Sequence, residues 1–171
     1  MPNRETEFVE LVRANNARLR KICRVYADGA EAERDLYQDI LVALWRSFDT
    51  FDGRDDAAPS TWLYRVALNT ALSHDRKQTV RDEATLDPDD PVWTDGVDRP
   101  ADTVERQDKL DRLYAAIDRL DDMDKALVMM YLDETPYAEM ADVLGISENY
   151  VGVKLHRIKN QLASWLETTP A

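Results

Sequence analysis

The sequence predicts an all-α protein in which an acidic linker joins two small helical domains. Apolar residues recur three and four positions apart along most of the chain, and no stretch of useful length alternates as a strand does. Excess negative charge and several prolines concentrate in one central segment. We therefore expect a first domain at residues 1–81, a linker at 82–108 and a second domain at 109–171.

The first domain contains three amphipathic patterns that predict three helices. Gly29 separates the first two patterns and suits a turn between antiparallel neighbours, and Ser60 is the expected N-cap of the third helix. Three such helices can close one small core. The apolar stripes consist of Phe8, Leu11, Val12, Leu19, Ile22, Cys23 and Tyr26; then Leu36, Ile40, Leu41, Leu44, Trp45 and Phe48; then Trp62, Leu63, Val66, Ala67, Thr70 and Ala71.

The predicted linker carries most of the net charge. Residues 82–108 hold 10 acidic and 2 basic residues, a net charge of −8, within a chain whose total is −12. Residues 1–81 are balanced at 13 of each sign, and residues 109–171 carry −4. The acidity is therefore a local property of the linker more than a property of either domain.

The second domain contains the segment TPYAEMADVLGISENYVGVKLHRIKNQL, which has the layout of a helix-turn-helix. We expect Thr135 to cap a short helix with Pro136 at its first position, and Gly145 to end that helix in a left-handed conformation. Ser147 is the expected cap of the longer second helix, whose outward face is polar. On geometry alone, the alternative is a helical hairpin packed on itself without a DNA-binding role.

Several function classes fit the sequence poorly. It has no Gly-rich phosphate loop, and two histidines and one cysteine form no nucleophilic or metal-ligating set, so we expect no catalytic residue, metal or cofactor. Cys23 lies on an apolar stripe, which favours a buried thiol over a redox sensor. With no apolar run long enough to span a bilayer and no signal-peptide pattern, we expect a cytoplasmic protein without membrane insertion.

Three motifs in order resemble the extracytoplasmic-function group of bacterial RNA polymerase sigma factors. They are DLYQDILVALWRSFDTFDG, STWLYRVALNTALSHDRK and the helix-turn-helix segment, and the resemblance covers nearly all of the chain except the linker and the ends. It implies two helical domains, called regions two and four. It also implies a subunit that binds core polymerase, recognises the minus-ten and minus-thirty-five promoter elements and promotes DNA melting.

The resemblance implies a polymerase-binding surface on the second helix, facing the clamp helices of the β′ subunit. The spacing of Asp35 and Asp39 agrees with such a surface, because carboxylates four residues apart share one helical face. The alternatives are a solvated face for the acids and a core position for the apolar members. The implied residues are Asp35, Gln38, Asp39, Leu41, Val42 and Trp45.

For the minus-ten element, the resemblance implies contacts from the loop 49–59 and the third helix. Trp62 falls in the apolar stripe and is expected in the core, whereas an acidic cluster of Asp52, Asp55 and Asp56 leaves a carboxylate metal site as a weak alternative. The implied DNA contacts are Phe51, Arg54, Arg65, Asn69, His74, Arg76 and Lys77.

For the minus-thirty-five element, the resemblance implies the second helix of the helix-turn-helix, in a domain that also contacts the β-subunit flap. Base edges and phosphates are read by polar, cationic and methyl groups of such a helix. The implied contacts are Ser147, Asn149, Tyr150, Val153, Lys154, His156, Arg157 and Lys159.

The acidity of the chain bears on its partners. A protein of net charge −12 should bind DNA weakly alone, which agrees with a subunit that reads promoter DNA only within a larger complex. The resemblance also implies control by an anti-sigma factor. A free-standing regulator or a helical adaptor remains the alternative, although the chain shows no sustained heptad for dimerisation.

The linker supplies a first test. If its acidic side chains run through the basic RNA-exit path of the polymerase, replacing the Asp and Glu residues of 82–108 with Ser should weaken core binding or initiation. Both are measured with reconstituted polymerase. Unchanged binding and unchanged initiation would contradict this role for the linker.

Overall fold

The computed structural model describes residues 3–51, 58–78 and 104–168, with the side chains of 75–78 excepted. This part of the chain forms seven α-helices and contains no β-strand. In chain order the helices are α1 (Arg4–Tyr26), α2 (Ala30–Phe48), α3 (Pro59–Gln78), α4 (Val104–Ile117), α5 (Asp122–Leu132), α6 (Tyr137–Leu144) and α7 (Glu148–Thr168). The all-α prediction is confirmed.

Helices α1, α2 and α3 pack against one another and form the first half of the molecule. Their apolar stripes meet in a core whose largest members are fully buried, and each such side chain contributes about 1.5–3 kcal/mol relative to exposure. Gly29, at φ 91°, lies at the start of α2 and allows the turn between α1 and α2. The fully buried members include Leu19, Ile22, Leu36, Ile40, Leu44, Leu63 and Tyr64.

Cys23 lies in this core, as the sequence predicts. Its side chain is fully buried, and burial raises the pKa of the thiol to about 12. The thiol is therefore protonated at neutral pH and unreactive, because the thiolate is the nucleophilic form.

Helices α4 to α7 form the second half. Every residue from Ala126 to Met130 is buried, so α5 is surrounded by other helices, including α6 and α7. Asp121 caps α5 by accepting a hydrogen bond from the amide of Asp124 at 2.9 Å. The eight-residue α6 is too short to be stable alone, and its buried Met140 and Ala141 fix it in place.

The helix-turn-helix is present, and two of its predicted signals are confirmed. Gly145 ends α6 at φ 67° in the left-handed conformation. The Ser147 hydroxyl accepts a hydrogen bond from the amide of Tyr150 at 3.1 Å, which caps α7.

Two predicted caps are wrong. Helix α3 begins at Pro59, whose fixed φ suits the first turn, so Ser60 lies inside the helix. Helix α6 begins at Tyr137, and Pro136 takes the N-cap position instead of Thr135. The amide of Thr135 bonds the carbonyl of Met130 at 2.9 Å and closes the end of α5, so this residue belongs to the preceding turn.

Helix α4 begins at Val104, so residues 104–108 of the predicted linker are helical, while the division into two domains and a linker stays a prediction. Residues 82–103 lie outside the described part of the chain, as do Arg54 and the acidic cluster Asp52, Asp55 and Asp56.

The two halves are in contact. Helix α3 packs on α6 and α1 meets α5. The phenol of Tyr26 donates to the carbonyl of Asp122 at 2.7 Å, and the guanidinium of Arg24 lies 3.8 Å from the ring centre of Tyr114. The first half therefore touches three helices of the second.

The two glycines of the helix-turn-helix differ in conformation and should respond oppositely to alanine. Gly145→Ala places a Cβ at positive φ and should lower the free energy of unfolding by about 1 kcal/mol. Gly152→Ala is helical, and its Cβ would make an ordinary 3.6 Å contact with the Tyr137 ring, so it should raise stability by about 0.5–1 kcal/mol. Urea unfolding measures both changes in the free energy of unfolding. A change of the same sign in the two variants would contradict the conformations assigned to these glycines.

Candidate functional site

The outer face of α2 forms an exposed ridge that we call the α2 ridge, made of Asp35, Gln38, Asp39 and Val42. Positions three, four and seven apart stack on one side of a helix, so these four side chains point the same way. Val42 is 48% exposed, which is unusual for a valine in the middle of a helix. The ridge combines acceptors with an apolar contact point, a surface suited to a basic protein partner.

The two remaining residues of that predicted site lie at the edge of the core. Leu41 and Trp45 are both half-buried. Phe8 packs edge-to-face on Trp45 with ring centres 5.0 Å apart, and the Arg4 guanidinium lies 4.2 Å from the centre of the Trp45 ring. The indole is thus held between α1 and α2, and its main role in this structure is packing.

Two residues predicted for different sites meet in the structure. The Nδ1 atom of His74 on α3 lies 2.9 Å from a carboxylate oxygen of Asp39 on α2. The His74 side chain is only 12% exposed, whereas Asp39 is 53% exposed. His74 is therefore a link between two helices as much as a candidate DNA contact. The two residues are 35 positions apart, so no local sequence pattern reveals this pair.

Aromatic rings gather where the loop after α2 begins. Phe51 stacks on Trp62 with ring centres 4.6 Å apart and 24° between the planes, and Phe48 is 6.4 Å from the same indole. Trp62 is half-buried, so the predicted core position is only partly realised. Both rings are half-buried and lie beside the first turn of α3; aromatic rings are the groups on which nucleic-acid bases stack.

The polar side of α3 is only partly open. Asn69 is exposed, but the guanidinium of Arg65 lies 3.2 Å from the carbonyl oxygen and 3.4 Å from a carboxylate oxygen of Asp142 on α6. Arg76 and Lys77 lie in the last turns of α3, and their side chains are outside the described residues.

Most of the predicted contacts on α7 share an exposed face. Tyr150 and Val153 are 45% and 50% exposed, large values for apolar groups on a packed helix. The other exposed members are Asn149, His156, Arg157 and Lys159, with Ser147 at the cap. The shape and chemistry of this face fit the major groove of duplex DNA.

Lys154 differs from its neighbours on α7. Its ammonium group donates to the carboxylate of Asp124 at 2.7 Å, and the two side chains are 16% and 15% exposed. That hydrogen bond raises the pKa of Lys154 above its ordinary value, despite the opposing effect of burial. Lys154 thus joins α7 to α5 in this structure. Lys159 extends instead over the ring of Tyr131, 4.5 Å from its centre.

Sequence patterns missed one charged cluster entirely. Asp133, after the end of α5, has a carboxylate only 8% exposed, which accepts hydrogen bonds from Lys21 on α1 and from the phenol of Tyr64 on α3. Burial, together with the bond to Asp133, raises the pKa of Tyr64. The partners are 112 and 69 positions away, so spacing gives no signal of this cluster.

The described residues also bear on metal binding and membrane insertion. Among them, no group of three or more His, Cys, Asp or Glu side chains could hold a metal ion. None of the described helices is long and apolar enough to cross a membrane.

Comparison with known proteins agrees with this geometry. The family model for Sigma-70 region 2 matches residues 11–81, and the model for Sigma-70, region 4 matches residues 110–162. The ECF RNA polymerase sigma factor SigM of Mycobacterium tuberculosis is 27% identical over 160 residues, covering 93% of this chain and 76% of SigM.

Two solved structures share the fold. CnrH, in complex with the cytosolic domain of CnrY, matches with a TM-score of 0.70 at 22% identity, over 98% of this chain and 92% of CnrH. RpoE from Bartonella quintana, in complex with the anti-sigma factor NepR, matches with a TM-score of 0.66 at 16% identity. This match covers 97% of this chain and 98% of RpoE.

The helical fold, the helix-turn-helix and the two matched regions define a sigma-70-type transcription factor. The chain belongs to its extracytoplasmic-function group, the ECF RNA polymerase sigma factors.

Lys154 and Arg157 should give opposite results on substitution. Lys154→Gln leaves the Asp124 carboxylate mostly buried without its cation and should lower the free energy of unfolding by about 1–3 kcal/mol. Arg157→Gln removes an exposed cation and should change stability by less than about 0.5 kcal/mol while weakening duplex DNA binding. Urea unfolding and fluorescence anisotropy at low salt measure the two effects. Weaker DNA binding with unchanged stability in Lys154→Gln would contradict the structural role.

Proposed function

We propose that this chain is a non-catalytic promoter-specificity subunit that acts in the cytoplasm, where bacterial polymerase transcribes. It binds core polymerase, directs it to promoters with minus-ten and minus-thirty-five elements, and helps open the DNA. The observation that carries the proposal is the presence of both sigma-70 regions, in order, on two helical units with separate exposed surfaces.

The α2 ridge is the proposed contact with the clamp helices of the β′ subunit. Asp35 and Asp39 offer carboxylates one turn apart, and the exposed methyls of Val42 continue the same face. Arginine pairs well with such carboxylates because its planar fork can bind two oxygens. Leu41 and Trp45 support the ridge from beneath.

The aromatic pair and the polar side of α3 are the proposed minus-ten site. Phe51 and Trp62 can hold a base that leaves the duplex, and such stacking contributes about 1–3 kcal/mol per base. Arg65 and Asn69 would contact the phosphate backbone or base edges beside it. Capture of an unpaired base favours the melted state, which is how this chain would promote opening.

The exposed face of α7 is the proposed minus-thirty-five site. Because Lys154 is held by Asp124, Arg157 and Lys159 are the lysine and arginine residues of this helix most open to phosphates. Affinity of the isolated chain for duplex DNA should then be low, since each phosphate contact adds to binding. Core polymerase would supply the remaining electrostatic attraction.

The flap of the β subunit is proposed to bind near the junction of α5 and α6. An open groove of about 370 Å³ lies there, lined by Tyr131, Leu132, Glu134, Thr135 and Tyr137. Tyr131, Leu132 and Tyr137 are each 39–46% exposed, so the groove offers apolar side chains beside the polar Glu134 and Thr135. Apolar side chains from a partner would gain burial in it.

An anti-sigma factor is the proposed inhibitor. The similar RpoE from Bartonella quintana was solved with the anti-sigma factor NepR. A protein of that kind would block this chain by covering the α2 ridge or the groove beside α5.

Reconstituted transcription tests the function. Core polymerase and a library of promoter fragments should give new start sites only when this chain is added. An Asp35→Ala/Val42→Ala variant alters two exposed positions of the α2 ridge and should reduce affinity for core by about tenfold or more, since a combined loss of about 1.4 kcal/mol of binding free energy gives a factor of ten.

The matched control is Val9→Ala/Glu10→Ala, which replaces an exposed valine and an exposed acid on α1. It should keep wild-type affinity for core in the same fluorescence titration. Asp39 is not substituted, because losing its bond to His74 would change the stability of the fold as well as the binding of core polymerase. Absence of core binding and of start sites, together with tight duplex binding by the chain alone, would instead support a free-standing regulator.

A further inference from the structure

His74 connects the two proposed binding sites of the first half. It lies near the end of α3, the helix proposed to contact the minus-ten element, and its Nδ1 atom is 2.9 Å from a carboxylate oxygen of Asp39 on the α2 ridge. The ring is the donor, because an ionised carboxylate only accepts hydrogen bonds. One hydrogen bond therefore runs from the helix proposed to contact DNA to the surface proposed to contact polymerase.

The surroundings of the two groups assign them different roles. The His74 side chain is 12% exposed, between helices that pack on one another, and its buried Nε2 atom has no hydrogen-bond partner among the described residues. The bond to Asp39 is thus the only one that this imidazole makes within the described part of the chain. Asp39 is 53% exposed, so its carboxylate keeps open surface for a second partner.

This arrangement orders a carboxylate before any partner arrives. An aspartate on the outer face of a helix can otherwise occupy more than one rotamer, and fixing it during binding costs free energy. A hydrogen bond from a ring held by packing selects one orientation of Asp39 in the free protein. Ordering a side chain in advance raises affinity without adding a contact to the interface.

We propose that His74 is a positioning residue for core binding, which holds the Asp39 carboxylate in the orientation that a basic group of the polymerase meets. The inference rests on the function proposed for the α2 ridge. The partner's cation completes a chain of three groups, in which the imidazole orients the carboxylate and the carboxylate binds the cation. His74 therefore serves the polymerase contact from α3, and its burial leaves little of the ring open to the DNA contact that the resemblance implies.

The test compares His74→Asn with His74→Leu in the full chain. Asparagine and leucine have the same branched shape and leave the same part of the ring volume empty, but only the asparagine amide can donate to Asp39 from near the position of Nδ1. Core affinity is measured by fluorescence titration without DNA. His74→Asn should bind core within about twofold of wild type. His74→Leu should bind about threefold to tenfold more weakly than His74→Asn, the range expected from ordering one side chain.

Thermal unfolding separates positioning from a loss of stability. His74→Leu should be at least as stable as His74→Asn, because a mostly buried position favours an apolar group over an amide. Weaker core binding by the variant that is no less stable cannot come from partial unfolding. The matched control repeats both substitutions in an Asp39→Ala background, where any loss of stability from Asp39 is common to the two chains. Their difference in core affinity should vanish there, since neither has a carboxylate to orient.

Equal core affinities of the two His74 variants, or a difference that persists in the Asp39→Ala background, would overturn the positioning role. A histidine that acts only by contacting DNA would give the first of these results, because the titration contains no DNA. A wild-type chain that does not bind core at all would refute the proposed function as well.

Discussion

Each helix of this protein must bury one apolar stripe against its neighbours, and the other features of the structure depend on that constraint. Helices of 8 to 23 residues have little stability alone in water, so packing decides both their existence and their orientation. Once Leu36, Ile40 and Leu44 face the core, Asp35, Gln38 and Val42 must face outward. The same reasoning turns Val153 outward on α7, because Val151 and Leu155 are buried. The candidate binding surfaces are thus the helix faces opposite those buried in the core.

The distribution of charge also shapes these surfaces. A chain of net charge −12 would repel DNA, yet the acidic groups of the second half are partly neutralised by Lys21, Arg24 and Arg65 of the first. Exposed ion pairs contribute little individually and are weakened by salt, whereas the Asp133 cluster is sheltered from solvent. The contact between the halves therefore combines one buried charge cluster with peripheral pairs that other ions or proteins can replace.

Much of the candidate site was predictable because it follows from local spacing. Helical periodicity located the α2 ridge and the face of α7, and the positive φ of Gly145 followed from its place after a short apolar helix. Cap positions were less predictable. Helix α3 begins at Pro59, one residue before the expected cap Ser60, and the amide of Thr135 bonds the end of α5, which leaves Pro136 at the N-cap of α6.

The sequence by itself determined the helices, the helix-turn-helix and the outward faces, because each depends on residues within a few turns of one another. Only the tertiary structure decided which charged side chains are available to a partner. Lys154 is held by Asp124, His74 by Asp39 and Arg65 by Asp142, and the buried Asp133 joins the two halves. These pairs span 30 to 112 positions of sequence, and electrostatic partners at such separations are set by how the helices pack, which no local pattern encodes.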